Sequence, residues 1–251
     1  MTAGACWAVL SIFAILMLLA ACTTTRKVSR LTTLDGGPTE GEGRLGIVLM
    51  PLDIELTRLT AGGLHQPDAV WTDAARAYLH EALDRQLAAR GIDLVSYDEA
   101  TIEPAEREMH RRLIHLHAVV GRAILSHVFS GKPLPTKGRR LDWSLGPTAR
   151  SIARTTGAGH ALFIHVRDSY TTAGRRILQI AAAAFGVAVP VGETDAFASL
   201  VDLKTGDIVW FETLHSPVGD LRRPEPAAKL ATVLLAKLPA GQGPAARGPG
   251  P

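Results

Sequence analysis

Two runs near the end of the chain constrain the fold most. Ala196–Leu203 and Ile208–Leu214 both read as strands, and only Lys204-Thr205-Gly206-Asp207 separates them. Gly206 tolerates a positive φ, so the connection reads as a tight antiparallel hairpin. Trp210 and Phe211 fall on opposite faces of its second strand, and Asp202, Thr205, Gly206 and Trp210 form its signature. A domain built on this pair needs further strands and a helical cover, and the preceding residues supply both.

Leu45–Leu52 (LGIVLMPL) is a continuous apolar run, the pattern of a central strand buried on both faces. Thr72 is placed to cap a helix whose apolar face is Ala75, Tyr78, Leu79, Ala82, Leu83 and Leu87, ending at Gly91. Ile92–Tyr97 follows as a short strand. Pro104 opens a long helix with apolar positions Met109, Leu113, Leu116, Val120, Ile124 and Val128. Residues 130–146 hold Gly131, Pro133, Pro135 and Gly138 and read as loop. Pro147–Thr156 is a third helix closed by Gly157; Ala161–Val166 is a strand, and Pro226–Leu238 a last helix. Parallel β-α-β units come early and antiparallel hairpins late. The expected class is α+β, one domain with a mixed sheet and packed helices over residues 45–238.

The N-terminus sets a compartment. Ala5 to Ala21 is apolar except for Ser11 and ends in Leu19-Ala20-Ala21-Cys22. Those four residues resemble a bacterial lipobox, in which small residues fit the peptidase and the cysteine thiol takes the lipid. Residues 1–21 are then a signal peptide and Cys22 the lipidation site. Residues 22–44, polar and without an apolar period, read as a tether. Thr23 in place of Asp after the cysteine resembles export to the periplasmic face of the outer membrane. The alternative is a plain anchor in the inner membrane, since Arg26, Lys27 and Arg30 follow the run. Residues 239–251 hold eight Pro or Gly in thirteen positions and read as a disordered tail. With 2 cysteines in 251 residues, a disulfide scaffold and a Cys-rich zinc module are both excluded.

On the lipobox, the opening strand (Arg44-Leu45-Gly46-Ile47-Val48-Leu49-Met50-Pro51) and the stretch Val201-Asp202-Leu203-Lys204-Thr205-Gly206-Asp207-Ile208-Val209-Trp210, the chain resembles an uncharacterised proteobacterial outer-membrane lipoprotein family. It is distantly similar to the group of the curli-secretion lipoprotein and the penicillin-binding-protein activator lipoproteins. The resemblance implies a periplasmic module that works by binding or assembly, and it carries over no catalytic residue and no cofactor. The long helix with its basic loop, residues 104–146, has no counterpart in that group.

Several residues invite chemistry. His80-Glu81-Ala82-Leu83-Asp84 lacks the second histidine of a zincin helix, since that position holds Asp84. His110, His117 and His127 lie near one stripe of the long helix and read as boundary histidines beside its apolar seam, with a metal-dependent hydrolase using them as the alternative. His165 alternates with Phe163 and Arg167 on one strand face. Asp53 and Glu55 leave the first strand at its carboxyl end, where α/β sheets place ligands. No nucleophile elbow, P-loop or dinucleotide fingerprint is present. Residues 177–191 are apolar on both faces, which suits a contact within the core, an oligomer or a membrane, and would belong to an oligomeric secretion or pore component.

The net charge of +3 hides opposed blocks. Residues 35–103 carry 5 basic and 13 acidic side chains, and residues 104–154 carry 10 and 3. The basic block suits an anionic envelope polymer. Only Phe129 and Trp143 interleave it as aromatics, so nucleic acid is not an expected partner. The expected function is a lipid-anchored, non-enzymatic binding or assembly module of the cell envelope. Its expected partners are the membrane, an envelope protein or polymer, and further copies of itself.

Overall fold

The computed structural model describes residues 24–29, 46–60, 62–92, 94–130, 132–137, 140–171, 192–216 and 220–239. The signal peptide with Leu19, Ala20, Ala21 and Cys22, the apolar segment 177–191 and residues 240–251 lie outside the described residues.

The domain is α+β. One sheet of eight strands contains β1 (Thr24–Ser29), β2 (Ile47–Leu49), β3 (Asp53–Leu59), β4 (His65–Pro67), β5 (Leu94–Val95), β6 (His160–Thr171), β7 (Gly192–Asp202) and β8 (Ile208–Ser216). Its order is β1-β8-β7-β6-β2-β5, with β3 also beside β6 and β4 antiparallel to β3. β2 and β3 run parallel to the same strand, Ile47 opposite His160 and Asp53 opposite His165. The expected continuous strand 45–52 is thus broken at Met50-Pro51-Leu52, where Pro51 has no N–H to give a ladder. β5 is parallel to β2, whereas β7, β8 and β1 are antiparallel to their neighbours, so parallel pairing comes early and antiparallel pairing late.

Helix α1 (Ala69–Ala88) and helix α4 (Pro224–Leu235) cover one face of the sheet; α2 (Pro104–Ile124), continued by a π turn at Leu125–Phe129, and α3 (Arg150–Thr156) cover the other. Leu162, Ile164 and Val166 point to α1 and α4, where Leu79, Leu83, Leu87, Leu230 and Leu234 meet them. Phe163, Phe197 and Phe211 point to α2 and α3, with Leu113, Ile124 and Ile152 above. Trp210 and Phe211 do occupy opposite faces.

Local signals settle the ends of these elements, with three corrections. Asp68, not Thr72, caps α1: its carboxylate accepts from the Trp71 N–H at 3.1 Å. Thr72 instead donates to the Asp68 carbonyl and accepts the Leu56 N–H at 3.0 Å, tying α1 to β3. The buried stripe of α2 is His110, Leu113, His117, Ala118, Gly121 and Ile124, turned from the expected one so that Met109 and Leu116 are exposed. The span expected to be a tether also contains a strand. Thr24–Ser29 pairs antiparallel with β8 from Thr24 opposite His215 to Ser29 opposite Trp210. Its sequence, TTRKVS, has no apolar run, which is why composition alone hid it.

The hairpin is as expected, and Gly206 sits at φ 83°. A Cβ there would also lie 2.1 Å from the Gly146 carbonyl oxygen, because loop 143–146 presses on the turn. Between the strands there is a bulge. Val201 faces Ile208 but Leu200 faces Trp210, leaving Val209 as the extra residue.

Candidate functional site

The α2 side of the sheet is best followed as rows across the strands. Directly beneath α2 lie Phe211, Ser199 and Phe163. The next row is Thr213, Phe197, His165 and Asp53, and beyond it come His215, Asp195, Arg167 and Glu55. α2 approaches closest at Gly121, where a Cβ would lie 2.1 Å from the Phe197 ring. Past that contact the rows turn from apolar to charged, and the outermost side chains Glu193, Asp195 and His215 are exposed.

Under the helix, His117 stacks on Phe163 at 5.0 Å between centroids, and its Nε2 lies 2.8 Å from the Ser199 hydroxyl. Burial lowers its pKa to about 3, helped by the neighbouring His165, so this imidazole is neutral. One row out, His165 stacks on Phe197 at 4.5 Å and its Nδ1 lies 2.7 Å from Asp53 Oδ2. The other carboxylate oxygen of Asp53 pairs with Arg167 at 2.8 Å. Burial alone would raise the Asp53 pKa; the His165 hydrogen bond and the Arg167 charge outweigh it and bring the pKa to about 2. The result is a fixed histidine–carboxylate–guanidinium chain across three residues of β3 and β6, half in the core and half at the open end.

Beyond that chain, His215 Nδ1 lies 2.8 Å from Asp195 Oδ1 and 3.3 Å from Glu193 Oε1. The Asp195 hydrogen bond raises the His215 pKa, with desolvation working against it. These are the only three His, Cys, Asp or Glu side chains among the described residues whose ligand atoms lie within 4.8 Å of one another.

The same strands end differently on the opposite face. Asp168 is buried and accepts hydrogen bonds from Tyr170 and, at 2.9 Å, from Thr194. Burial raises its pKa to about 6 despite those donors. The Arg222 guanidinium sits 4.3 Å from the Tyr170 ring and 4.8 Å from Trp71, and closes this corner.

A separate crevice of about 540 Å³ opens at the carboxyl ends of β2 and β5. Met50, Val95 and Tyr97 contribute to its wall, and His80 and Asp84 reach it from α1 with 3.0 Å between Nδ1 and Oδ2. Carboxyl ends of parallel strands are where such sheets take ligands, and the volume suits a small molecule.

The helix histidines are not brought together. His110 and His117 are buried seven residues apart: His110 Nδ1 lies 3.1 Å from the Tyr97 hydroxyl, while His117 meets Ser199. His127 falls in the π turn, stacks on Trp143 at 6.4 Å, and its Nδ1 lies 3.0 Å from the Lys132 carbonyl. A helix rises ~1.5 Å per residue, so spacings of seven and ten separate the rings along its axis. The hairpin signature serves the fold. Asp202 accepts the Lys204 N–H at 2.7 Å, Thr205 accepts that of Asp207 at 3.1 Å, and buried Trp210 donates Nε1–H to the Lys237 carbonyl at 3.2 Å.

Sequence reading named Asp53, Glu55, His165 and Arg167, but not their contact. It missed Glu193, Asp195 and His215. The available signal was the i, i+2 carboxylate pair on β7; counting outward from the turn without the Val209 bulge puts His215 opposite Thr194, on the other face.

No family model and no curated protein matches this chain. Among solved structures, the PelC dodecamer from Paraburkholderia phytofirmans is similar at 17% identity, over 88% of this chain and 99% of that one, with a TM-score of 0.38. A methionine variant of the same PelC dodecamer has 15% identity, 87% and 99% coverage and a TM-score of 0.35. Among the described residues, no helix is long and apolar enough to cross a membrane.

Proposed function

We propose that the chain is a lipoprotein of the outer membrane, held on its periplasmic face by Cys22, whose α+β domain works as a binding or assembly module of the envelope. The supporting observation is the adjacency of Leu19-Ala20-Ala21-Cys22 to strand β1, which starts at Thr24 and is hydrogen-bonded along β8. A chain spans at most ~3.3–3.6 Å per residue, so Thr24 lies within about 7 Å of the anchor. The lipid then holds the sheet itself, without a tether between them, and the Thr24 end of the sheet is the end nearest the bilayer. Thr24 faces His215 across the strands, so the charged rows at that end lie toward the head groups.

Palmitate labelling of the full chain against Cys22→Ala tests the anchor. Loss of label and release of the variant from membranes is expected. Equal labelling of both would contradict the reading.

A further inference from the structure

We propose that Glu193, Asp195 and His215 form a binding site for one divalent transition-metal ion of the zinc type. The site needs no lipid anchor, so it stands apart from the reading above.

The backbone supplies the placement. Glu193 and Asp195 are two residues apart on β7 and so share a face. Asp195 is the cross-strand partner of His215 on β8, and the Val209 bulge is what brings His215 to the same side. All three ligands stand on two hydrogen-bonded strands, which hold a site more rigidly than loops do.

The ligand atoms of the three side chains all lie within 4.8 Å of one another, close enough for one ion to gather them. The imidazole Nδ1 is 2.8 Å from one carboxylate oxygen and 3.3 Å from the other. Tetrahedral zinc with bonds of ~2.0–2.1 Å needs its ligand atoms about 3.3 Å apart. Small side-chain rotations close the difference, and the side chains are exposed enough to make them. Imidazole together with carboxylates favours zinc and its transition-metal neighbours over calcium or magnesium.

Charge argues in the same direction. Two carboxylates share one imidazole. Arg167, the cation that strand pairing places beside Asp195, is turned away to Asp53, with its Nη1 also donating to the Asp53 and Val166 carbonyls. A divalent ion balances the two carboxylates. Three protein ligands leave a fourth position for water or an anionic oxygen, the pattern of an open zinc site.

The chain has 9 histidines, so the test must identify which of them binds. The full chain, purified in detergent, is titrated calorimetrically with zinc chloride beside His215→Ala, Asp195→Asn and the control His115→Ala, an exposed histidine of α2. One zinc per chain is expected, with affinity reduced at least tenfold in the first two variants and unchanged in the control. X-ray absorption of the wild-type zinc complex gives a readout that needs no variant, and one imidazole with oxygen ligands is expected. No uptake, affinity unchanged in His215→Ala, or two or more imidazoles around the metal would each overturn the proposal.

Discussion

The two faces of the sheet use the same strands and end in opposite ways. On the α1 and α4 side, the end of β6 and the start of β7 are sealed: Asp168 and Thr194 are bonded to each other beneath Tyr170, and Trp71 and Arg222 close the corner. One residue along each strand, Arg167 and Asp195 emerge on the other side, where α2 has already passed its closest approach at Gly121. A carboxylate in the sealed corner has its pKa raised, whereas one beside partners at the open end has its pKa lowered. Cover, not strand composition, decides which end of this sheet is available to a ligand.

Breaking the sealed face should cost most. Leu79 is fully buried between α1 and the sheet, and Leu79→Ala should lose about 2–5 kcal/mol in urea unfolding. Loss below about 1 kcal/mol would mean that α1 is not a core helix. Gly121→Ala addresses the other face. The added methyl meets the Phe197 ring, and an overpacking cost of about 1–3 kcal/mol outweighs the gain in helix propensity. Faster hydrogen exchange in α2 than in α1 would locate the damage.

The carboxylates Asp53 and Asp168 should give pH effects of opposite signs. Asp53 has a folded pKa of about 2 against 3.8 ordinarily, so its stabilisation is present above about pH 4 and disappears as pH falls toward 2. Asp168, raised from 3.8 to about 6, binds its proton more tightly when folded, so stability falls as pH rises from about 4 to 6. Asp53→Asn should remove the acid-side loss and Asp168→Asn the neutral-side one. If both variants flatten the same limb, the contrast between the two faces is wrong.

Much of this architecture was legible because its signals are local. Pro104 opens α2, Gly157 closes α3 in a left-handed cap at φ 73°, and Gly206 turns the hairpin. What escaped reading depends on partners far apart in sequence. β1 exists because β8 offers an edge; Thr72 loses the capping role because Leu56 needs its hydroxyl. Two histidines take core positions in α2, where Tyr97 and Ser199 each meet one ring nitrogen. Site residues followed the same rule: His165 and Asp53 were each noticed, yet their pairing needs β3 laid beside β6 in the observed register. His215 was hidden by a single bulge residue.

The proposal that most needs testing is the lipid anchor at Cys22, two residues before β1 begins at Thr24. Intact mass spectrometry of the chain extracted from membranes measures this without labels or variants. A mature species starting at Cys22 and carrying acyl mass on that residue is predicted; an unmodified chain retaining residues 1–21 would contradict it.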